Sequence, residues 1–438
     1  MEEIKRQTIF FKINYTLFYI VAASFYLCRY IFLPIAILWL ALAIVEGNWK
    51  ERYNTLKTNK LLLYAALFLG FFFCYLISPF FSDNIGRAIS SWEYKIWFLV
   101  CPICILPLVP KLSQTQFKRM FIVYLCVILV MAICSLIQSF YLWQTTHKIY
   151  HLYYQHASTL PLSSFRHPSY CSLYEIIAWI IAAHLLLRKK QHTLSTPTTI
   201  LCWATLVVLS VHIYFLQSKI GFLTFGIAFF IYLGIALKRR TNIFVMIAVI
   251  VGIIAGFGAF MAKNYGRETK DCDNRFANSI TSFQTDDKKN PTESTSIRVA
   301  LWHNSWEIGR EHWFLGVGAG DVKELMLNKA KEHNYKYIAS GDFNCHNQYL
   351  QLWLCVGLPG LLLFLAILAC SFVYVCRQKM LPMILITFAF ATNLLVECML
   401  ELVAGTCVIP IVLTLMVGIC QTMRYHDNRE VHASVSGE

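Results

Sequence analysis

The sequence predicts an all-α polytopic membrane protein with about 12 transmembrane helices and one long, partly helical loop. Hydrophobic residues make up 57% of the 438 residues and charged residues only 14%, against about 25% charged residues in a soluble domain. A single soluble core stops growing at about 250–300 residues, so it could not bury this much apolar surface. The apolar residues also fall in runs of roughly 20, the length with which a helix crosses a bilayer.

Twelve apolar runs are predicted to span the membrane. They are 10–27, 29–47, 60–80, 94–110, 118–142, 170–188, 197–215, 220–237, 242–262, 347–375, 380–397 and 402–423. Only Arg29 separates the first two runs, so a tight hairpin is expected there.

The short connections between the runs predict the orientation. Basic clusters lie at Lys5–Arg6, Lys50–Lys60, Lys111–Arg119, Arg188–Lys190, Lys238–Arg240 and Arg377–Lys379. Twelve spans put all six clusters on one side, which is the cytoplasmic side because short cytoplasmic loops are rich in Lys and Arg. Both termini are then cytoplasmic. Since the basic residues are spread over these clusters, the formal charge of +14 does not indicate nucleic-acid binding.

This topology divides the chain into four parts. A membrane domain with nine spans covers 1–262, and a loop domain on the opposite face covers 263–346. A second membrane domain with three spans covers 347–424, and a cytoplasmic tail covers 425–438. The loop contains twelve basic and twelve acidic residues, so it has no positive bias.

The long loop is predicted to fold. Its early part, 267–291, is polar and rich in turn-forming residues, so it is expected to be mobile. Helical spacing over about 296–311 predicts an amphipathic helix. The residues that recur at this spacing are Ile297, Leu301, Trp302, Ser305 and Ile308.

Aromatic residues and a second helix complete the predicted loop fold. The segment 316–320, Gly-Val-Gly-Ala-Gly, is expected to form a turn. Asp321 is then expected to cap the next helix, with Glu324 in the capping-box position. Large aromatic side chains give the loop apolar area to bury. They are Trp302, Trp306, Trp313 and Phe314.

Nearly all of the 16 cysteines lie inside apolar runs, where cysteine usually serves as a small packing residue. Only Cys272 and Cys345 lie in the long loop. They could form a disulfide in an oxidising compartment or remain free thiols, and the sequence favours neither.

Three residues at the outer ends of the spans are candidates for chemistry, because ionisable groups beside a membrane span are costly. His346 can accept a proton from a hydroxyl, although it could instead cap a helix. Arg298 can bind a phosphate with two hydrogen bonds, although a solvated helix charge would also explain it. Lys219 is a cation on the outer face, which the positive-inside bias disfavours, although it could extend into the headgroups.

Two further outer segments carry basic residues. Arg166 and His167 precede Pro168, which suits the start of a helix. Arg87 and Lys95 flank another outer segment. Interfacial anchoring explains Arg166 and His167 equally well.

Two other patterns do not predict sites. The glycine-rich segment 316–320 does not follow a strand in a βαβ unit, so a nucleotide site is not expected. Asp286 and Asp287 precede two lysines and are interpreted as a solvated turn. No metal site and no cofactor are predicted.

The loop and its return to the membrane resemble the O-antigen ligase and O-antigen polymerase family. The resemblance lies in Arg298 and Trp302, in the segment 314–320, in His346-Asn-Gln-Tyr-Leu350, and in Gly-Leu-Pro-Gly at 357–360. It is strongest over about 200–375 and extends more weakly to the segment Phe165-Arg-His-Pro168.

The resemblance implies a bacterial inner-membrane glycosyltransferase of all-helical fold with a periplasmic loop. Such enzymes take a glycan from undecaprenyl pyrophosphate and transfer it to lipid A-core, to a polysaccharide or to a protein. They use neither a nucleotide sugar nor a required metal. The ligase is favoured here, with the polymerase and the protein O-oligosaccharyltransferase as alternatives. A transporter or flippase of lipid-linked glycan is the alternative from another class.

The resemblance also implies roles for individual residues. His346 matches the histidine of the family's His-Asn motif, the presumed base, and Arg298 matches the loop arginine that contacts the donor pyrophosphate. Lys219 stands where ligases usually have arginine, so the charge is kept and the two-pronged guanidinium is lost. The residues predicted to bind substrate are Arg166, His167, Asn347, Tyr349, Trp302 and Arg87.

Overall fold

The described part of the chain is helical, without a strand, in agreement with the predicted all-α class. The structure is a computed structural model that describes residues 2–24, 31–147, 167–188, 194–238, 291 and 294–436. Side chains are described for these residues except 2–5, 403–404 and 423–436.

Helices and short turns follow one another along the described segments. The helices are α1 (Glu2–Ser24), α2 (Phe32–Glu46), α3 (Trp49–Thr58), α4 (Leu62–Ile77), α5 (Ile85–Lys95), α6 (Trp97–Val100), α7 (Gln114–Thr146), α8 (Pro168–Leu187), α9 (Thr196–Leu216), α10 (Lys219–Lys238), α11 (Ser294–Glu311), α12 (Val322–Glu332), α13 (Lys336–Ser340), α14 (Gln348–Arg377), α15 (Leu381–Leu394) and α16 (Val403–Ser436). Short 3₁₀ turns occupy Ser78–Phe81, Val109–Lys111 and Met399–Glu401, and a π-helical turn occupies Cys101–Ile105.

Seven helical segments among the described residues are long and apolar enough to cross a membrane, which supports a polytopic membrane protein. They are Leu62–Phe81, Gln114–Thr146, Pro168–Leu187, Thr196–Leu216, Lys219–Lys238, Gln348–Arg377 and Gly405–Thr422. Two bent helix pairs raise the number to nine if each pair is one span. The first is α2 with α3, bent by 104°, and the second is Ile85–Lys95 with Trp97–Lys111, bent by 44°.

The predicted number of twelve spans is therefore not confirmed. The run 10–27 falls on α1, which Lys12 and Asn14 make more polar than the seven segments. The run 380–397 falls on α15, a shorter apolar helix. The run 242–262 lies outside the described residues, as do Arg29 and its predicted hairpin.

Local backbone features explain the first bent pair. Gly47 ends α2 with φ of +71°, and its N–H donates to the carbonyl of Ala43. A left-handed residue at this position is a common way to end a helix, and glycine adopts it without strain. The polar helix α3 follows and carries basic residues of the predicted cytoplasmic cluster Lys50–Lys60.

The chain divides into two compact units. The first comprises 1–123, 289–292 and 297–438, and the second comprises 124–288 and 293–296. This division follows packing, whereas the four predicted parts follow the sides of a membrane. The four parts therefore stay a prediction.

The core of the first unit is aromatic. The ring of Phe71 on α4 lies 4.5 Å from that of Phe98 and 5.4 Å from that of Phe364 on α14. The hydroxyls of Tyr64 and Ser371 are 2.7 Å apart and join the same two helices. Aromatic pairs add about 0.5–1.5 kcal/mol beyond the burial of their area, so these contacts hold α4 against α14.

The second unit contains a buried polar network. Glu175 Oε1 lies 2.7 Å from His212 Nδ1, and His212 Nε2 lies 3.0 Å from Ser135 Oγ. The Glu175 and His212 side chains are completely buried. Ionisable groups in membrane helices are costly and pair with one another, so this network joins α7, α8 and α9. The sequence analysis did not anticipate it.

The amphipathic helix predicted over 296–311 is confirmed as α11. Ile297, Leu301, Ser305 and Ile308 are all buried, as the spacing predicted. The helix begins two residues earlier than expected, at Ser294.

The second predicted helix of the loop is also present, as α12, but its predicted cap is wrong. Asp321 stands at the N-cap position without a capping side-chain hydrogen bond. Its carboxylate instead accepts from the backbone N–H of Asp83 at 2.7 Å and of Asn84 at 2.9 Å. A tertiary contact has therefore replaced the local one.

None of the four aromatic residues expected to fill the loop core is fully buried, and three of them are exposed. Trp306 is 56% exposed, Trp313 55% and Phe314 53%. The indole of Trp306 packs beside that of Trp353, with ring centroids 5.3 Å apart. The loop core is formed instead by smaller apolar side chains of α11 and α12, such as Leu301 and Met326.

Several predictions fall on residues that the structure does not describe. They concern the expected mobility of 267–291, the Asp286–Asp287 turn and the pairing of Cys272. Among the described cysteines, Cys345 is a free, buried thiol.

Candidate active site

His346 lies immediately before α14, at a position with a strained backbone. Its φ is +44°, in the left-handed region, which costs a non-glycine residue of order 1–3 kcal/mol. Two hydrogen bonds hold it there. Its N–H donates to Asn344 Oδ1 at 2.9 Å, and its carbonyl accepts from Trp302 Nε1 at 3.2 Å.

Asn347, and not His346, caps α14. Its Oδ1 accepts from the N–H of Tyr349 at 3.0 Å and of Leu350 at 3.2 Å. Satisfying these otherwise unpaired N–H groups is the usual task of an N-cap side chain. Asn347 therefore has the capping role that was the alternative for His346, and the His346 imidazole makes a different contact.

A carboxylate joins the two principal candidates of the first unit. Arg298 Nη2 donates to Glu397 Oε1 at 2.6 Å, and His346 Nδ1 lies 3.2 Å from Glu397 Oε2. The structure thus brings Arg298 and His346 to one carboxylate. The residue that links them, Glu397, was not predicted.

Burial makes this three-residue cluster electrostatically significant. The Glu397 side chain is only 4% exposed, whereas Arg298 is 18% and His346 23% exposed. Arg298 Nε also donates to the carbonyl of Val396 at 3.2 Å. A buried carboxylate needs such partners. A carboxylate that accepts from Nδ1–H fixes the tautomer of the imidazole and leaves Nε2 as the basic nitrogen.

The backbone segment that carries Glu397 is itself held by polar contacts. Gln348 Oε1 accepts from the N–H of Leu400 at 2.7 Å, and Gln348 Nε2 donates to Glu401 at 3.3 Å. Lys95 Nζ lies 3.0 Å from Glu401 Oε1 and donates to the carbonyl of Leu400. Lys95 is completely buried, so this outer cation of the sequence analysis anchors the turn between α15 and α16.

Cys345 stands beside His346 but is inaccessible. It is completely buried, and its N–H donates to Gln351 Oε1 at 3.3 Å. Burial, which disfavours the thiolate, raises the pKa of Cys345 to about 12. The thiol is therefore protonated at neutral pH and is not poised as a nucleophile.

The other predicted residues of the first unit make structural contacts. Trp302 holds the carbonyl of His346, as described above. The Tyr349 hydroxyl donates to the carbonyl of Ala391 at 3.0 Å. Arg87 Nη1 donates to the carbonyl of Gly320 at 3.3 Å. Of these three, only Trp302 contacts the Arg298–Glu397–His346 cluster.

The remaining candidates belong to the second unit or are not described. Lys219 begins α10, and its Nζ donates to Thr295 Oγ1 at 3.0 Å. His167 is the N-cap of α8, and its Nδ1 accepts from the N–H of Ser169 at 3.4 Å. Arg166 lies outside the described residues.

The glycine-rich turn at 316–320 is occupied by protein contacts. The N–H of Val317 donates to the carbonyl of Leu354 at 2.8 Å. The N–H groups of Ala319 and Gly320 donate to Ser78 Oγ at 2.7 Å and Ser82 Oγ at 3.2 Å. A phosphate loop needs such N–H groups for its ligand, so these contacts agree with the interpretation of the segment as a turn.

Glu397 was missed although the sequence carries a signal for it. It is an acid at the last position of the predicted span 380–397, and an ionisable residue at such a place is a functional candidate. The predicted candidates at the outer ends were cations and histidines, with no acid among them. Which cation Glu397 would pair with could not have been derived from sequence spacing, because Arg298 lies 99 positions away.

One family model matches part of the chain. Residues 204–365 match the family model described as O-antigen ligase. The matched segment includes Lys219, Arg298 and His346 and ends before Glu397. The match confirms the resemblance to the O-antigen ligase family and supports a glycan-transferring enzyme of the ligase or polymerase type. No curated protein gives a significant match to the chain.

Proposed function

We propose, from the O-antigen ligase family match over residues 204–365, that this protein transfers a glycan from undecaprenyl pyrophosphate to lipid A-core. The reaction takes place at the periplasmic face of the bacterial inner membrane. The observation that carries the proposal is the buried Glu397 carboxylate, which contacts both Arg298 and His346.

The proposed topology puts these residues on the periplasmic side. Both termini and the basic short loops are cytoplasmic, and the segment 263–346 is the periplasmic loop. The spread of lysine and arginine over the short loops supports this orientation.

His346 acts as the general base. Glu397 accepts a hydrogen bond from Nδ1–H, so the lone pair of Nε2 is available for the acceptor hydroxyl. As the hydroxyl oxygen attacks the anomeric carbon, its proton passes to Nε2, and the bond from that carbon to the pyrophosphate oxygen breaks. The pyrophosphate leaves with the electron pair of the broken bond. A single displacement of this kind inverts the anomeric carbon.

Arg298 and Lys219 stabilise the leaving group. The charge on the pyrophosphate grows as the bond breaks, and positioned cations lower the energy of that transition state. Arg298 shares its guanidinium between Glu397 and the phosphate. The part of Lys219 in this step rests on its place in the matched segment 204–365.

The remaining predicted residues support substrate binding in two ways. Trp302 and Asn347 hold the backbone around His346, Arg87 holds the glycine-rich turn, and Tyr349 joins α14 to α15, so they position the site. Arg166 and His167 precede α8, at the proposed outer face, where they contribute positive charge or hydrogen bonds for the donor.

A polymerase or a protein O-oligosaccharyltransferase would use the same base and leaving group. These alternatives differ from the ligase only in the hydroxyl that attacks. A transporter or flippase would not need a base oriented by a buried carboxylate, so the His346–Glu397 contact favours an enzyme.

Separate alanine variants at His346, Arg298 and Lys219 test the proposal. In a strain whose only copy is the variant, each is expected to lose polysaccharide-capped lipopolysaccharide, while Lys219→Arg retains it because the charge is kept. Silver-stained gels of the lipopolysaccharide measure the effect, and immunoblots verify that each variant is present in the membrane.

His312→Ala is the matched control, since it removes an imidazole from the same loop outside the site. If capped lipopolysaccharide persists in all three alanine variants, the proposed site is wrong. If the glycan chains become shorter but remain attached to lipid A-core, the enzyme is a polymerase and not a ligase.

A further inference from the structure

Two histidines and a glutamate lie together on α11 and α12, away from the Arg298–Glu397–His346 cluster. His303 and Glu307 are four residues apart on α11, so they share one face of the helix. His333 stands at the C-cap of α12. Neither the sequence analysis nor the proposed function uses these three residues.

The ligand atoms of the three side chains converge. His333 Nε2 lies 2.8 Å from Glu307 Oε2, and His303 Nε2 lies 3.8 Å from Glu307 Oε1. The three side chains each offer one ligand atom within 4.8 Å of the others. Zinc binds imidazole nitrogen and carboxylate oxygen at about 2.0–2.2 Å in tetrahedral geometry, which puts ligand atoms about 3.3–3.5 Å apart. Small changes of rotamer would reach that spacing.

The surroundings hold one ligand in place and leave access for an ion. The ring of Tyr335 stacks on that of His333, with centroids 5.5 Å apart and an angle of 27°. The Glu307 side chain is 22% exposed, His333 28% and His303 56%. An ion can therefore enter from solvent, and water can complete its coordination.

Lys329 is the main competitor for the carboxylate. Its Nζ lies 3.7 Å from Glu307 Oε2 but only 3.1 Å from Glu332 Oε2. The shorter contact is with Glu332, so Lys329 keeps a partner when Glu307 binds an ion. A surface ion pair of this kind contributes at most about 1 kcal/mol, which a zinc site readily exceeds.

We propose that His303, Glu307 and His333 form a zinc site with water as the fourth ligand. The ion would connect α11 to the end of α12. Because α11 also carries Arg298, the zinc ion would stabilise the position of the helix that holds this arginine. The site is structural, and the proposed glycan transfer does not require the ion.

Zinc binding by the full-length protein in detergent micelles tests the site directly. Protein purified without a histidine tag and treated with a chelator is titrated with Zn²⁺ against a chromophoric zinc indicator. The wild-type protein is expected to bind one ion more than Glu307→Gln and His333→Ala, or to bind that ion at least tenfold more tightly. Substitution with Co²⁺ is expected to give the visible absorption of a tetrahedral site in the wild-type protein but not in Glu307→Gln or His333→Ala.

His312→Ala is the matched control, since it removes a neighbouring imidazole that lies outside the cluster. It is expected to bind zinc like the wild type. Thermal unfolding gives a second measurement, in which Zn²⁺ raises the midpoint for the wild type and for His312→Ala but not for the other two variants. Equal zinc binding by the wild type, Glu307→Gln and His333→Ala would overturn the proposal, as would an unchanged midpoint for the wild type.

Discussion

Glu397 determines what the two residues beside it can do. A lone histidine near a membrane surface has many uses, and a lone arginine on a helix is often only solvated. The Glu397 carboxylate favours the Nδ1–H tautomer of His346 and forms an ion pair with Arg298. Its 4% exposure means that removing either partner leaves a nearly desolvated charge, which is costly.

Glu397→Gln tests this role. The amide keeps the shape of the side chain but accepts the Nδ1 proton less strongly, so the preferred tautomer of His346 is lost. We expect glycan transfer to fall on the order of 10²–10⁴-fold, as for other carboxylates that orient a histidine base. Transfer is measured with purified enzyme across a range of pH.

A change in the pH dependence of glycan transfer by Glu397→Gln distinguishes the orientation of His346 from a purely structural role of Glu397. Glu397→Asp is expected to retain more activity than Glu397→Gln, and Asp342→Asn, at an exposed loop carboxylate, should have no effect. Full activity in Glu397→Gln would exclude the proposed orientation of His346.

Cys345 gives a second test at the level of a single residue. Its pKa is raised to about 12 by burial, and only the thiolate reacts with alkylating agents. We expect no labelling of Cys345 by iodoacetamide at pH 8 in the native protein and full labelling of Cys345 after denaturation with reductant, measured by mass spectrometry of the peptide that contains it. Rapid labelling of Cys345 in the native protein would contradict its burial.

The raised pKa of Cys345 also predicts how the stability of the fold depends on pH. The pKa of the thiol is about 9 in the unfolded chain and about 12 in the folded protein. Below pH 9 both states are protonated and stability is unaffected. Above pH 9 the unfolded state gains a thiolate that the folded state resists, so stability falls as the pH rises.

At the scale of elements, α14 depends on a glycine. Gly357 has φ of +66° inside this helix, and the N–H of Leu358 donates to the carbonyl of Phe314 at 3.0 Å. A Cβ at Gly357 would collide with the backbone of Phe314 and Leu315. The glycine therefore allows the loop segment before Gly316 to lie directly against the helix.

Gly357→Ala is expected to destabilise the protein by about 1–3 kcal/mol, the range for strain in a disfavoured backbone region. A lower midpoint of thermal unfolding in detergent measures the effect. Gly226→Ala is the matched control, since a Cβ there meets no atom within 4 Å. Alanine is favoured over glycine in a helix interior by up to about 1 kcal/mol, so this control should be neutral or stabilising. Equal midpoints for the two variants would contradict the proposed strain.

A helix could be predicted from the sequence where burial of one helix face was enough to define it. The period of Ile297, Leu301, Ser305 and Ile308 predicted α11 because burial along one face follows helical spacing. The cap by Asp321 was wrong because a side chain that can hydrogen-bond locally can also bond to a distant backbone. Here the Asp321 carboxylate accepts from the N–H groups of Asp83 and Asn84, which are 238 and 237 residues away.

At the scale of the whole molecule, apolar helices specify a membrane protein, and the basic short loops specify its proposed orientation. Reporter fusions test that orientation. Alkaline phosphatase is expected to be active when fused after residue 340 and inactive when fused after residue 59 or at the C-terminus, because the enzyme folds only in the periplasm. Phosphatase assays on whole cells measure this, and activity after residue 59 would reverse the topology.

The sequence by itself determined the class of protein and most of its parts. Low charge and long apolar runs are properties of composition, so they predicted an all-α membrane protein. Short motifs predicted His346 and Arg298 as candidates. The predicted number of spans was not confirmed, because α1 is too polar and α15 too short to count as spans and the run 242–262 lies outside the described residues.

Only the tertiary structure showed which residues the candidates contact. Glu397 reaches Arg298 and His346 across 99 and 51 positions of the sequence, and His333 reaches Glu307 across 26. Contacts at such separations depend on how helices pack, which periodicity and spacing do not encode. The sequence therefore predicted the candidate residues, and the packing of the helices determined that one carboxylate contacts both Arg298 and His346.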